Sequence, residues 1–451
     1  MTNRDESFLK MMLKVGIPIA IQCVIVNCLN MVDQVIVSQL GEVALASVGI
    51  ANRITTIVNF VLGALATGMS IFVAQFVGKK DLKNAGRMTG IGIISGGLVI
   101  AVMLIGCLIF PRQLLGIFTD DAKALDLAVS FLVIVALSFV PLLFSIVYSA
   151  YLRSSMKVRV PMVASIIATC CNIVFDYIFV FGKFGFRKMG VQGAALGTVI
   201  ARCIELFIIL IYIYAKKVFE ETSVLKRLQV NAELWKKFLA TALPIVVSEM
   251  LWVLGDTTYN AIYSRIGTIE YAAMSVMYPM QSVIIGLLTG ISGAAVVVLG
   301  NMIGAGKEDN LLACAKKVLI FGFVVSVMSG ILVIIFTDAY VSIYNVSPET
   351  IVISKRILKV FGCIIWIKIT NMIIGNGVLS SGGDSRFILV MDSISTWAIG
   401  VPLGLISAFV LHMSIEQVYL LICFEEFIRV FVGLYRIKSK KWIHNLVKEE
   451  K

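Results

Sequence analysis

Charged residues are scarce in this sequence, and the sequence motifs of nucleotide-binding sites and of hydrolase active sites are absent. Only 15% of the 451 residues are charged and 59% are hydrophobic, whereas an average soluble domain is about 25% charged. The stretch GNMIGAGKED approaches a phosphate-binding loop, but Asn301 stands where its first glycine is needed and Glu308 where Ser or Thr should follow the lysine. No Ser/His/Asp set, HExxH or GxSxG motif occurs. The sequence therefore predicts neither an enzyme nor an ATP-driven protein, and it predicts no organic cofactor.

Histidine is also nearly absent, with only His412 and His444, which argues against a histidine metal centre. The nine cysteines are an odd number, and each lies in or beside an apolar run. We interpret them as small buried hydrophobic residues rather than as disulfides or metal ligands. The amino-terminal MTNRDESFLKMML contains acidic residues and lacks a small-residue cleavage site. We therefore expect the first helix to be retained rather than removed as a signal peptide.

Long apolar runs recur along the whole chain. A helix needs about 20 apolar residues to cross a bilayer, and continuous runs argue against the short alternating strands of a transmembrane barrel. We therefore predict an all-α polytopic membrane protein with twelve transmembrane helices. The predicted spans are 13–39, 46–77, 88–110, 125–152, 159–182, 190–215, 235–264, 272–303, 314–336, 351–380, 386–411 and 415–436.

Positive charge is distributed unevenly between the loops. Of the 39 Lys and Arg residues, 26 lie in or beside the two tails and the even-numbered loops, and 6 lie in the odd-numbered loops. The positive-inside rule then places both termini in the cytoplasm. The net charge of +12 reflects this topology, and we expect no nucleic-acid partner.

The chain also repeats itself. Three sequence matches share an offset of 226 residues: Pro18 with Pro244, Gly41 with Gly267, and Gly78 with Gly304. Such matches indicate a duplication, and six spans per half imply two bundles related by a pseudo-two-fold axis along the membrane normal. We predict an amino lobe at 1–215, a cytoplasmic linker at 216–234, and a carboxy lobe with its tail at 235–451. Two such lobes suit a transporter that works by alternating access.

Five stretches of the sequence are similar to segments of a known protein family. They are NMVDQVIVSQLGEVALASVGI, GMSIFVAQFVGKKDLKNAGRM, YLRSSMKVRVPM, NIVFDYIFVFGKFGFRKMGVQGAALGTVIAR and GISGAAVVVLGNMIGAGKEDNL. Together they resemble the MATE family (multidrug and toxic compound extrusion) over essentially the whole chain. The resemblance implies a pair of six-helix lobes in a plasma (inner) membrane. It also implies the export of drugs or organic cations in exchange for H⁺ or Na⁺.

An ion-coupling site is implied by resemblance to the DinF-like branch of that family. This branch has an acid in the first span, and an Asn and an acid one turn apart in the fifth, which match Asp33, Asn172 and Asp176. A carboxylate near the bilayer centre costs roughly 2.5–3.5 kcal/mol, and two that approach each other cannot easily both stay ionised. Asn172 can donate to a carboxylate or accept from a protonated one. We therefore expect the three residues to form a proton relay or a Na⁺ site, and the alternative is a structural polar cluster between helices.

Two residues of the sixth span are candidate modulators of that site. Arg202 follows Thr198 by four residues on the same helical face, and Glu205 lies three residues further on. Arg202 either approaches Asp33 or Asp176 and favours their ionised forms, or it is held by Glu205 alone.

The carboxy lobe contains its own charged residues. Glu249 and Asp256 are seven residues apart in the seventh span, and they either line the cavity or lie near the ends of the span. The resemblance lets Glu249 match a seventh-span acid of another MATE branch. That branch also uses a tenth-span acid, which is missing here, so its cation site is expected to be incomplete.

Other candidate cavity residues are Lys368, Gln281 and, in the amino lobe, Tyr148, and for the last two the alternative is ordinary packing. Lys368 is expected to pair with Asp256 or Asp392. In the twelfth span we expect an internal ion pair between Arg429 and its neighbours Glu425 and Glu426.

The leading prediction is a secondary active multidrug efflux antiporter. Its expected partners are small-molecule drugs or organic cations and the lipid bilayer, and we expect a monomer. The alternative is a lipid-linked oligosaccharide flippase of the related fold, which the basic residues Arg53, Arg202 and Lys368 would suit. A sensor or structural membrane protein would not need Asp33 or Asp176.

Overall fold

The computed structural model describes residues 3–219, 232–344 and 346–448. Within these ranges the chain forms helices and no β-strand. This confirms the all-α polytopic fold class predicted from the apolar runs. Residues 220–231, the central part of the predicted linker, lie outside the described ranges.

The first half of the described chain forms eight helices. They are α1 (Asn3–Ser38), α2 (Glu42–Gly78), α3 (Leu82–Ile109), α4 (Pro111–Gly116), α5 (Ala122–Ala136), α6 (Phe139–Ser154), α7 (Arg159–Phe181) and α8 (Val191–Ala215). Local sequence explains several of the ends. The side chain of Asp81 accepts a hydrogen bond from the backbone N–H of Asn84 at the start of α3. Gly182, with a φ of 71°, ends α7 in the left-handed conformation that glycine tolerates.

The second half of the described chain also forms eight α-helices. They are α9 (Ala232–Ile266), α10 (Thr268–Gly304), α11 (Leu311–Val341), α12 (Pro348–Met372), α13 (Ser385–Ser393), α14 (Val401–Leu405), α15 (Ile415–Ile422) and α16 (Phe424–Lys438). Wider π-helical turns continue three of them, at Ile373–Leu379, Ile394–Gly400 and Ile406–Val410. Such turns are rare in proteins, and those that occur are frequently found at functional sites.

Counted with the π-helical turns that continue them, so that Pro348–Leu379 and Ser385–Val410 are single spans, ten helices of the described chain are long and apolar enough to cross a membrane. The bent pair α5–α6 makes an eleventh span if it is counted as one. The two helices of that pair meet at 49°. The twelfth predicted span is divided into α15 and α16, of 8 and 15 residues. Neither reaches spanning length alone, and the division falls at Cys423, two residues before Glu425.

The duplication is visible in the helix boundaries. Pro18 and Pro244 lie inside the first helix of their halves, Gly41 and Gly267 precede the second helix, and Gly78 and Gly304 end it. In each half of the described chain a lysine with a positive φ lies two residues after the last helix, Lys217 after α8 and Lys440 after α16. The two halves therefore share turn geometry as well as sequence.

The chain divides by spatial proximity into two compact units. We call Ile21–Ala242 the amino unit, and Met1–Ala20 with Leu243–Lys451 the carboxy unit. The chain passes from one unit to the other inside α1 and α9, close to Pro18 and Pro244. The lobe limits derived from the sequence repeat, 1–215 and 235–451 with a linker at 216–234, stay a prediction.

Candidate functional site

The three predicted ion-coupling residues come together in the amino unit. Asp176 on α7 is fully buried, and its carboxyl group lies within hydrogen-bonding distance of that of Asp33 on α1. Asn172, one turn earlier on α7, donates from Nδ2 to Asp176 Oδ1 over 3.2 Å. We call these three residues the acid site. Their role in ion coupling stays a prediction.

The two carboxyl groups of the acid site differ in their surroundings. Asp33 is partly exposed, whereas Asp176 is not exposed at all. Within the described chain, no donor forms a hydrogen bond to the buried Oδ2 of Asp176. Because two ionised carboxylates at this distance repel each other, a single proton held between them would satisfy the geometry.

Helix α8 closes one side of the acid site through two glycines. A Cβ atom at Gly197 would stand 2.0 Å from Asp176 Oδ1, and one at Gly193 would stand 2.7 Å from the backbone carbon of Phe179. Small residues one turn apart allow two membrane helices to approach this closely. The sequence interpretation missed Gly197, although its spacing from Gly193 was the available signal.

The predicted modulators contact other groups. Thr198 Oγ1 donates to the carbonyl of Ala194 over 3.1 Å. Arg202 Nη1 lies 2.8 Å from Glu205 Oε2, and Glu205 is only 7% exposed. Glu205 also lies near Arg153 at the end of α6. Of the alternatives left open by the sequence, the structure therefore has Arg202 held by Glu205.

Tyr148 lies in an aromatic cluster of the amino unit. Its ring stacks on Phe144 at 6.2 Å between centroids and lies 6.1 Å from Phe219. It also packs against a buried apolar cluster that includes Leu152 and Ile209. This is the packing environment named as the alternative to a substrate contact, and a substrate contact by Tyr148 stays a prediction.

Three predicted residues of the carboxy unit line one cavity of about 50 Å³: Asp256, Gln281 and Lys368. We call it the tyrosine cavity, because four tyrosines also line it: Tyr259, Tyr263, Tyr278 and Tyr419. Gln281 Oε1 accepts a long hydrogen bond of 3.5 Å from the Tyr419 hydroxyl. The sequence named all three as candidate cavity residues, and here they line one cavity although they lie on three different helices. A role in substrate binding stays a prediction.

Lys368 has a different partner from the two that were expected. Its Nζ atom lies 3.8 Å from Glu426 Oε1, so the prediction of a direct pair with Asp256 or Asp392 was wrong. Asp256 is exposed, and one of its carboxylate oxygens accepts a hydrogen bond from Asn260 Nδ2 over 3.2 Å.

Arg429 is the centre of a buried ionic network in the carboxy unit. Its guanidinium lies 3.3 Å from Glu425, 3.9 Å from Glu426 and 3.8 Å from Asp392, and it donates to Thr396 Oγ1. The expected internal ion pair of the twelfth span is therefore present, and tertiary contacts extend it to two further residues.

Glu249 lies at the edge of this network rather than in the tyrosine cavity. It is near Asp392, and Asp392 Oδ2 accepts a hydrogen bond of 3.2 Å from Ser248, the neighbour of Glu249 in the chain. Glu249 and Asp256 share a helical face in sequence, but they have different neighbours. Among the described residues, no group of three or more His, Cys, Asp and Glu residues is arranged to hold a metal ion.

Comparison with known proteins assigns the chain to a family. The MatE family model matches it twice, over residues 18–178 and over residues 244–406. The chain belongs to the MATE family of transporters. The two matched segments begin 226 residues apart, the offset seen in the sequence repeat, so each half of this MATE chain is one copy of the family unit.

Relatives cover this MATE chain almost from end to end. It is 25% identical over 431 residues to the uncharacterised transporter YisQ of Bacillus subtilis (strain 168), covering 94% of this chain and 93% of YisQ. It is 23% identical over 434 residues to the probable multidrug resistance protein NorM of Thermotoga maritima, covering 96% and 93%. A crystal structure of a MATE protein in complex with MaL6 has a TM-score of 0.87 at 20% identity, covering 96% and 97% of the two chains. The chain is thus a multi-pass membrane protein with the MATE fold.

Proposed function

We propose that this MATE protein is a secondary active multidrug efflux antiporter that exports organic, often cationic compounds in exchange for an ion. The observation that carries the proposal is the acid site, in which a buried and a partly exposed carboxyl group lie within hydrogen-bonding distance. An isolated carboxylate inside a membrane helix is costly. If Asp33 and Asp176 bind and release a cation during transport, this function explains why two costly carboxyl groups are present inside the membrane.

The geometry favours H⁺ as the coupling ion. Asn172 directs an N–H group, not its oxygen, at Asp176, and the Thr198 hydroxyl donates to a backbone carbonyl of its own helix. A Na⁺ ion needs several oxygen ligands pointing at one place, whereas a proton needs only two facing oxygens. Binding of Na⁺ by Asp33, Asn172 and Asp176 is the alternative, and the transport experiment below distinguishes it from binding of H⁺.

Partial exposure of Asp33 suggests the route of the proton. Asp33 takes up the proton from water and shares it with the buried Asp176, while Asn172 keeps the Asp176 carboxyl oriented. Protonation removes a negative charge from the acid site. This changes the relative free energies of the inward-open and outward-open states, which is how a bound ion can drive a conformational equilibrium. In this proposal both termini are cytoplasmic in the inner membrane, the protein works as a monomer, and its two lobes alternate access.

The substrate is proposed to contact residues outside the acid site. Asp256, Gln281 and Lys368 supply charge and hydrogen-bonding groups at the tyrosine cavity, and Glu249 adds a further acid. Tyrosine rings suit flat and cationic compounds. The tyrosine cavity itself is small, so we propose it as a contact point for one end of a substrate.

Transport in liposomes tests the proposal. The full chain is reconstituted, and uptake or export of a fluorescent organic cation is followed under an imposed pH gradient and, separately, under a Na⁺ gradient. We expect uphill movement driven by the pH gradient, abolished by Asp33→Asn and strongly reduced by Asp176→Asn. Asp126→Asn serves as a matched control, because Asp126 is 59% exposed and pairs with Arg112 at the surface.

Three outcomes would change the proposal. Full transport by both acid-site variants would remove the acid site from the mechanism. Transport driven only by Na⁺ would replace the proton with Na⁺. Movement of a lipid-linked sugar without transport of the organic cation would favour the flippase.

A further inference from the structure

The ammonium group of Lys368 lies in an acidic and aromatic environment in the carboxy unit. Its Nζ atom is 3.8 Å from Glu426 Oε1 and 5.7 Å from the centroid of the Tyr419 ring. Asp256 and Glu425 line the same cavity as Lys368. An acid and a tyrosine face are the groups that attract a free ammonium ion, and the lysine head is chemically such an ion on a flexible stem.

Acids outnumber bases in the network that contains Arg429 and Lys368. Glu425, Glu426 and Asp392 all lie within 4 Å of Arg429, and Asp256 lies on the cavity wall. Lys368 and Arg429 are the bases of this network. Removing Lys368 would leave Arg429 among several acids, and a buried carboxylate without a partner is strongly destabilising. Lys368 therefore supplies the second cation of this cluster.

Asn371 contacts the acid partner of this cation. It lies three residues after Lys368 on α12, and its Nδ2 donates to Glu426 Oε2 over 2.6 Å. Its Oδ1 is buried, and no donor among the described residues forms a hydrogen bond to it. A buried amide oxygen without a donor is costly, and it is an atom that a small cation could use.

The Lys368–Glu426 contact is loose. A charge-assisted N–H···O bond is about 2.7–2.9 Å long, so 3.8 Å indicates attraction without a closed hydrogen bond. The adjoining cavity of about 50 Å³ and the 22% exposure of the lysine side chain leave the ammonium group room to move. Drug-sized ligands occupy cavities of roughly 300 Å³ or more. The size of this cavity suits a small monovalent cation.

We propose that Lys368 is a tethered cation, whose ammonium group occupies a monovalent-cation site formed by Glu426 and the face of Tyr419, with Asn371 bonded to Glu426 beside it. While the tether is present, the carboxy unit needs no free cation at this position. Removing the side chain beyond Cβ creates a site for a free primary alkylammonium ion. This inference does not depend on the proposed export function, because binding and stability alone test it.

Chemical rescue of Lys368→Ala provides the test. The substitution removes three methylene groups and the ammonium, which are the heavy atoms of n-propylammonium. Thermal unfolding of the purified full chain in detergent is measured with n-propylammonium chloride, with NaCl and with 1-propanol. We expect the variant to melt several degrees below the wild type and to recover saturably with n-propylammonium, but not with the neutral 1-propanol. Wild-type protein should show no such shift.

Lys368→Met is the matched control, because it fills the space with a neutral side chain. It should be destabilised and should not respond to n-propylammonium. No recovery of Lys368→Ala, or an equal shift in all three proteins, would overturn the proposal. If Lys368→Ala cannot be purified in NaCl, it is purified in n-propylammonium chloride. Recovery only in the amine supports the tethered cation, and failure in both salts while Lys368→Met purifies refutes it.

Discussion

Asp176 and Gly197 approach each other so closely that a side chain at position 197 would have to displace the Asp176 carboxyl group. A Cβ atom there would stand 2.0 Å from Asp176 Oδ1 and 3.2 Å from the backbone nitrogen of Asp176. The backbone of α8 thus forms one wall against the buried carboxyl group. We infer that this wall helps to hold the carboxyl in reach of Asp33.

Gly197→Ala should therefore displace the Asp176 carboxyl group. Inserting a methyl group into a packed site costs about 1–3 kcal/mol, so we expect a modest loss of thermal stability together with a large loss of proton-driven export. Melting temperature and liposome export, measured on the same preparations, check this. Gly63→Ala is the control, because a Cβ at Gly63 meets nothing within 4 Å. Normal export by Gly197→Ala would contradict a positioning role for Gly197.

Arg429→Gln should destabilise the carboxy unit strongly. Arg429 is 5% exposed and is shared by Glu425, Glu426 and Asp392, so its removal leaves buried carboxylates with less compensation. Breaking a buried ion pair costs about 3–5 kcal/mol. Unfolding monitored by heat or denaturant gives the measurement.

Arg356→Gln provides the comparison for Arg429→Gln. The Arg356 side chain is 62% exposed and lies 3.5 Å from Glu416, and exposed pairs contribute about 0–1 kcal/mol. Equal effects of the two substitutions would show that burial does not govern the strength of the Arg429 network.

We expect the ionisation of Asp384, which contacts Arg436 and His444 near the carboxyl end, to make the stability of the folded protein depend on pH in the acid range. Burial alone would raise the pKa of its carboxyl, but the nearby His444 side chain and the hydrogen-bonded Arg436 outweigh burial and lower the pKa below its usual value of 3.8. Arg436 binds both carboxylate oxygens, with Nε 2.7 Å from Oδ2 and Nη2 3.1 Å from Oδ1. A carboxyl with a lowered pKa stabilises the folded state above its unfolded pKa, and this stabilisation is lost as pH falls through the folded pKa.

Asp384→Asn should therefore lower the melting temperature at neutral pH. The difference from the wild type should persist down to about pH 5 and shrink only below about pH 4. Melting curves across this range test the sign and the window. Asp126→Asn, at an exposed pair, should show little difference at any of these values. A gap that widens on acidification would mean that the assigned contacts do not stabilise the ionised carboxylate.

Periodic and local features were predictable from the sequence. Apolar runs longer than a membrane crossing located eleven of the twelve predicted spans, because a helix in a bilayer must be continuous in apolar residues. The repeat at Pro18 and Pro244 was also readable, since it needs only aligned positions. The division of the last span into α15 and α16 was not predicted, because its charged residues Glu425 and Glu426 are tolerated through contacts with other helices.

Site residues were predictable in identity but not in partnership. A carboxylate in an apolar run singles out Asp33 and Asp176 without any structure, and Arg429 has its acids on the same helix. Lys368 was assigned to the wrong partners, because its neighbour Glu426 is 58 residues away in sequence. The cysteines were expected to be buried, and only Cys107, Cys314 and Cys423 are.

The sequence by itself determined the membrane-spanning class, the duplication and which polar residues are out of place in an apolar helix, because each of these follows from composition and spacing along one chain. Only the tertiary structure decided that Gly197 forms a wall of the acid site, that Glu205 holds Arg202, and that Lys368 lies against Glu426. Helical periodicity specifies the face on which a side chain lies. Which face of which other helix it meets depends on packing between segments that are far apart in the chain.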